Sequence, residues 1–316
     1  MRNPGIAICA TAAVLLMAAP GFSQSGSHQG QGQAVVTVLP NHESEMPSNV
    51  TGQDLSVKVN GKLVKGATWT PLQSPANSLE LVVLIDGSSR TSLGSQLDDI
   101  AHFVNRLPPN TKTAIAYMQN GRAVFAGSLT ADHVQVLRAL HMPSGSPGSD
   151  ASPYLCLSDL ASHWPSGDRK ARREVVMVTD GVDNYDAQFD PEDPYVRAAV
   201  ADSVRAGLVV YAIYWQNQGR AVNSAYESNA GQSLLLEVTE ATGGKSFWQG
   251  TGNPVSFEPF LDELTRRLRN QYELGFVTRL DGKAAVESLK LKLSAPGNEV
   301  DAPQQVIVFP IASTEK

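Results

Sequence analysis

Three short polar stretches carry the side chains best suited to chemistry: Asp86-Gly-Ser88-Ser89-Arg90, Ser149-Asp150-Ala-Ser152 and Thr179-Asp180-Gly181. The first and third each follow an apolar run, and the second precedes a helical pattern. In an open parallel sheet such positions lie beyond the carboxyl ends of strands, where ligands bind. Asp86 and Asp180 together offer two carboxylates that could serve a hydrolase as a metal-holding or acid/base pair. The plainer alternative is that they only cap the loops in which they sit.

Other candidates fail on spacing. The acidic loop from Asp180 to Asp193 is rich in carboxylates but lacks EF-hand spacing and the final Glu, so it reads as a solvated loop ending in a helix cap. Gly244-Lys245-Ser246 resembles the end of a phosphate-binding loop, yet the first glycine would fall at Thr239, and a helix precedes it where a strand is required. Gly-x-Ser-x-Gly occurs nowhere in the chain, which removes the usual serine-hydrolase elbow. His102, His133 and His163 fall on helices and no two histidines stand at metal-ligand spacing. Cys156 lies among apolar residues and reads as packing. Tyr211, Tyr214 and Trp215 end a strand, while Tyr226, Phe247 and Trp248 lie near Asn and Gly; core packing is expected for most of these six, with an aromatic binding rim as the alternative.

The elements that must position these loops follow from periodicity. Leu79 to Ile85, Thr113 to Met118, Glu174 to Thr179 and Leu208 to Tyr214 are apolar strand-like runs, each joined to the next through helical patterns. Thr130 is a candidate cap for the helix carrying Val136 and Leu140, and Asp193-Pro194 starts a helix that Gly207 can stop. Ser233 to Ala241 and Pro259 to Asn270 read as further helices, and Lys245 to Trp248 as a short strand. Apolar strands alternating with helices predict an α/β fold, a doubly wound and mostly parallel sheet covered on both faces. Strand patterns flank this core on both sides. Val35 to Val38, Leu55 to Val59 with a turn at Asn60-Gly61, and the stretches Tyr272 to Val277, Ser288 to Leu293 and Gln305 to Phe309 are expected to pair into one small β domain built from both ends of the chain.

Charge and composition limit the partners. The 316 residues hold 25 Lys+Arg against 31 Asp+Glu, a net charge of −6, and the densest basic patch is Arg169 to Arg173, so nucleic acid is not the expected partner. Arg2, an apolar stretch from Ile6 to Ala19 and then Pro20-Gly-Phe-Ser23 follow the order of a secretory signal peptide, with cleavage expected near Ser23 and no membrane span thereafter. Cys9 lies inside that segment, which leaves Cys156 alone and no internal disulfide. The expected division is a signal peptide at 1–23, a disordered leader at 24–33, a β segment at 34–75, the α/β domain at 76–270 and a second β segment at 271–316.

The order of Val82-Val-Leu-Ile-Asp-Gly-Ser88, Ser152-Pro-Tyr-Leu-Cys-Leu-Ser-Asp-Leu160, Arg173-Glu-Val-Val-Met-Val-Thr-Asp-Gly181, Ala241-Thr-Gly-Gly244 and Arg269-Asn-Gln-Tyr-Glu-Leu274 resembles the von Willebrand factor type A family, and more closely its secreted bacterial members. The resemblance implies a Rossmann-like core and a metal-ion-dependent adhesion site, with Asp86, Ser88 and Asp180 as ligands and Ser152 standing in for the family's Thr. Carboxylate and hydroxyl oxygens suit a hard cation, Mg²⁺ or Ca²⁺. Arg90 occupies the remaining ligand position, and a guanidinium cannot coordinate a cation, so the site is expected to be degenerate and to bind metal weakly. The function so implied is that of a non-catalytic, adhesion-type module, extracytoplasmic (periplasmic or secreted), that binds another protein. A metal-assisted hydrolase and a structural envelope protein with a vestigial site are the alternatives.

Overall fold

A computed structural model describes residues 28–41, 50–73, 77–144, 152–183, 190, 192–216 and 225–311, the side chains of residues 28 and 90–92 excepted. The proposed signal peptide therefore lies outside the described residues, as do Ser149 and Asp150 and most of the acidic loop. In chain order the elements are β1 (His28–Pro40), β2 (Leu55–Val59), β3 (Lys62–Leu63), β4 (Thr68–Pro71), β5 (Leu79–Asp86), α1 (Gln96–Arg106), β6 (Lys112–Gln119), β7 (Arg122–Phe125), α2 (His133–Ala139), α3 (Pro153–Ser162), β8 (Arg172–Thr179), α4 (Pro194–Ala206), β9 (Leu208–Tyr214), α5 (Ala225–Thr242), β10 (Ser246–Phe247), α6 (Glu258–Leu268), β11 (Gln271–Leu280), β12 (Ala285–Leu293), β13 (Asn298–Asp301) and β14 (Gln305–Pro310).

The apolar runs form a six-stranded sheet in the order β10-β9-β8-β5-β6-β7, parallel except for the β6–β7 hairpin. Every residue of β5 and β9 is buried, as strands covered on both faces must be. Side chains alternate between the faces. Val82 and Leu84 of β5 join Tyr154 and Leu157 of α3, Val196 and Val200 of α4 and Leu234 of α5. Leu81, Val83 and Ile85 turn the other way, onto Ile100 and Phe103 of α1 and Leu261 and Leu264 of α6.

A second sheet, antiparallel, has the order β3-β2-β12-β14-β1-β11-β4, with β13 also on β1. Both ends of the chain contribute to it: β1 pairs along its length with β11, from His28 opposite Leu280 to Thr37 opposite Gln271, and β2 pairs with β12. Its own core holds Val36, Val57, Leu274, Phe276 and Val308. The turn expected at Asn60-Gly61 is present, with both residues at positive φ.

Several expectations need correction. The stretch 24–33 does not read through as a disordered leader, because from residue 28 onward it is the first half of β1. Its strand state comes from backbone pairing with β11, and its glycines face inward: a Cβ on Gly32 would come within 2.5 Å of the Phe276 ring. The terminal β unit is also larger than expected, an eight-stranded sheet. Asp132, in place of Thr130, caps α2, its Oδ1 accepting from the Val134 and Gln135 amides, while Thr130 bridges to Thr113. Helix α5 starts at Ala225, well before Ser233. No helix among the described residues is long and apolar enough to cross a membrane.

Candidate functional site

Asp86 is the last residue of β5 and its carboxylate is fixed by neighbours with short side chains. Oδ1 accepts from the Ser88 amide at 2.9 Å and from the Ser88 hydroxyl at 2.6 Å; Oδ2 accepts from the Thr179 hydroxyl at 3.0 Å. Ser89 donates its hydroxyl to the Asp86 carbonyl at 2.6 Å. Thr179 ends β8, directly across the sheet from β5, so the first and third polar stretches are joined by one side-chain hydrogen bond. Its hydroxyl also accepts from the Gly181 amide at 3.2 Å, and Asp180 Oδ1 accepts from the Val182 amide at 3.1 Å.

The second stretch arrives through α3. Ser152 is its N-cap, accepting from the Tyr154 and Leu155 amides, with Pro153 at the first helical position. The Ser152 hydroxyl donates to Asp183 Oδ2 at 2.9 Å. Tyr154, fully buried, donates its phenol to the Gly181 carbonyl at 2.6 Å. Burial holds that phenol well above its ordinary range, with Asp180, Asp183 and Asp193 adding to the effect, so it stays a proton donor.

Helix α5 fixes the turn from below. A Cβ on Gly231 would lie 2.1 Å from the Asp180 carbonyl oxygen, and one on Gly181, at φ +67°, would lie 2.5 Å from the Gly231 carbonyl. The backbones touch here, which only glycine at both positions permits.

Asp86, Ser88, Ser152 and Asp180 thus gather at the carboxyl edge of the parallel sheet, all buried. Asp86 and Ser88 contact one another directly, whereas Ser152 reaches Asp183. Thr179, Tyr154 and Asp183 are participants that sequence reading gave no role; Thr179 was within reach, as the hydroxyl residue next to Asp180 at a strand end. The side chain of Arg90 lies outside the described residues. The donors are carboxylate and hydroxyl oxygens only, a set that fits a hard cation such as Mg²⁺. Among the described residues no three His, Cys, Asp or Glu side chains are grouped to hold a metal, so a cation here would have to draw on the serines.

The remaining candidates resolve simply. Cys156 is buried among apolar side chains. Tyr211, Tyr214, Trp215 and Phe247 are core, while Tyr226 and Trp248 are exposed. His133 and His163 each contact a backbone carbonyl, of Thr111 and Asp159 respectively.

No known family model matches the chain, and no characterised protein matches it in sequence. Among solved structures it is similar to an aerotolerance-related membrane protein from Bacteroides fragilis, at 14% identity over 60% of this chain and 98% of that one, with a TM-score of 0.44. A hypothetical protein, BatB, from Bacteroides thetaiotaomicron gives 12% identity over 60% and 97%, with a TM-score of 0.44. Proximal thread matrix protein 1 from the mussel byssus, with a zinc-occupied MIDAS motif, gives 12% over 68% and 50%, at 0.46. With likenesses this distant, the fold assignment rests on the strand order and helix layers described above.

Proposed function

We propose that this chain is an exported, non-catalytic binding module that engages another protein at the carboxyl edge of its parallel sheet. The observation supporting this reading is the meeting of three separately encoded polar segments in one buried, hydrogen-bonded cluster around Asp86, Thr179, Asp180 and Ser152. Burying such groups costs stability unless they are fixed by partners, and groups so fixed hold the loops at this edge in a preorganised arrangement. By sequence, Arg90 stands at the position where the family resemblance calls for a further oxygen ligand, and a guanidinium cannot coordinate a cation.

Two measurements test it. In retention of proteins from an envelope extract, the native chain should hold a defined partner that Asp86→Asn, folded by circular dichroism, does not; equal retention by both refutes the site. In calorimetric titration with Mg²⁺, the native chain should show no tight binding and Arg90→Ser should gain it. Tight binding by the native chain, or no gain in the variant, removes the role given to Arg90.

A further inference from the structure

At the amino end of the parallel sheet, the two sheets meet over a buried polar seam that the proposed site does not use. Glu174, in β8, is fully buried, and neither of its carboxylate oxygens is in hydrogen-bond geometry with a described donor. The nearest cation is Arg172 Nε at 3.6 Å, but that guanidinium gives its Nη1 hydrogens to the Leu268 carbonyl at 3.2 Å and to Gln271 Oε1. Gln271 Nε2 in turn donates to the Tyr211 phenol oxygen at 3.1 Å, and Thr37 Oγ1 of β1 is also buried without a hydrogen-bond partner. The Arg267 guanidinium of α6 eases the charge that Tyr211 would carry and is itself held by Glu263 Oε1 at 3.0 Å and Asp301 Oδ2 at 2.6 Å. The charged or titratable groups acting on Glu174 are Arg172 on its own strand and Tyr211 on β9, while Arg267 of α6 acts on Tyr211; among the described residues β1 and β11 bring the neutral Thr37 and Gln271.

We propose that Glu174 is a proton-operated clasp between the two sheets: its neutral acid keeps the seam seated, and its ionisation loosens it. A carboxylate denied hydrogen bonds in a dry interior is costly, whereas a carboxylic acid carries an O–H that a neighbouring hydroxyl oxygen can accept. Burial accordingly pushes Glu174 up to about 7, opposed first by Arg172 and then by the polar side chains of Gln271 and Tyr211. Burial, followed by the Glu174 charge, holds Tyr211 far above its ordinary range, so the phenol adds no second titration near neutrality. The folded value of Glu174 exceeds the unfolded one, so its contribution to stability is complete below the ordinary glutamate range and is lost as pH rises through about 7. Two backbone bonds of the antiparallel sheet next to Gln271, Val38 N–H to the Asn270 carbonyl and Leu72 N–H to the Gln271 carbonyl, both at 2.9 Å, seat the strands that carry Thr37 and Gln271 and report on the seam.

The test is thermal melting of the full chain from about pH 5 to about pH 9, native beside Glu174→Gln. The native Tm should fall as pH rises through neutrality, and the Gln protein should give a flatter curve that lies above the native one at the alkaline end. Amide protection at Val38 and Leu72 should drop at alkaline pH in the native chain alone. Parallel pH curves for the two proteins, or equal loss of protection in both, overturn the proposal. Should the Gln protein fail to fold, infrared spectra of the native chain decide: a buried carboxylic-acid band that disappears as pH rises through about 7 supports the clasp, and its absence at mildly acid pH overturns it.

Discussion

At the carboxyl end of the parallel sheet Asp86 accepts three hydrogen bonds, all from neutral donors on Ser88 and Thr179, while at the amino end Glu174 accepts none and sits 3.6 Å from the nearest cation. The difference lies in where the donors come from. Serine and threonine at a strand end are local and short, so a turn of the backbone brings their hydroxyls to the carboxylate. The seam instead assembles long side chains from β8, β9, β11 and α6 against a strand from the other sheet. Each extra element adds a geometric constraint, and not every polar atom can be met. One end is therefore pinned in a single arrangement, and the other remains sensitive to a single proton.

Substitutions can break or sharpen this contrast. The largest effect is expected at the seam from Arg267→Ala, which deprives Glu263 and Asp301 of a buried guanidinium and should cost about 3 kcal/mol in urea unfolding at neutral pH. Next comes Gly231→Ala. A helical glycine replaced by alanine ordinarily gains stability, but here the new Cβ meets the Asp180 carbonyl, and a net loss of about 2 kcal/mol is expected together with weaker partner retention. Stability unchanged or improved would show that the turn carrying Asp180 is not locked by α5. Smallest is Ser152→Ala, which removes the α3 cap and the bond to Asp183 at a cost of about 1 kcal/mol, read as a lowered Tm. A larger loss from Ser152→Ala than from Arg267→Ala would invert the comparison, placing the structural weight at the carboxyl edge.

Much of the α/β half was legible because its signals are local. The run Leu79 to Ile85 is apolar at every position but one and is a wholly buried strand, and Asp193-Pro194 caps α4 as a cap followed by Pro should. The antiparallel half was legible only where side chains alternate, as in Leu55 to Val59. Its first strand opens with Gln and Gly, which carry no hydrophobic signal, and takes its conformation from β11, far away in sequence. At the candidate site, Asp86, Ser88, Ser152 and Asp180 do reach one edge, yet Asp183 and Tyr154 entered through side-chain contacts between separate loops that no spacing encodes. Glu174 shows the same limit. Within an apolar run it reads as a strand-end residue, and only the arrival of the second sheet makes it a buried acid.

The long pairing of β1 with β11 has a kinetic consequence. Apart from the central β5–β8 pair, each parallel strand finds its neighbour through a nearby helix, so much of that half of the molecule can gather from contacts of modest sequence separation. The antiparallel sheet cannot, because β1 precedes the whole α/β segment and β11 to β14 follow it. During synthesis β1 must wait, with its edges open, until the last strands have left the ribosome. Refolding should accordingly show a fast phase in helical signal followed by a slower one in which Trp69, stacked on Tyr272 across β4 and β11, acquires its final environment.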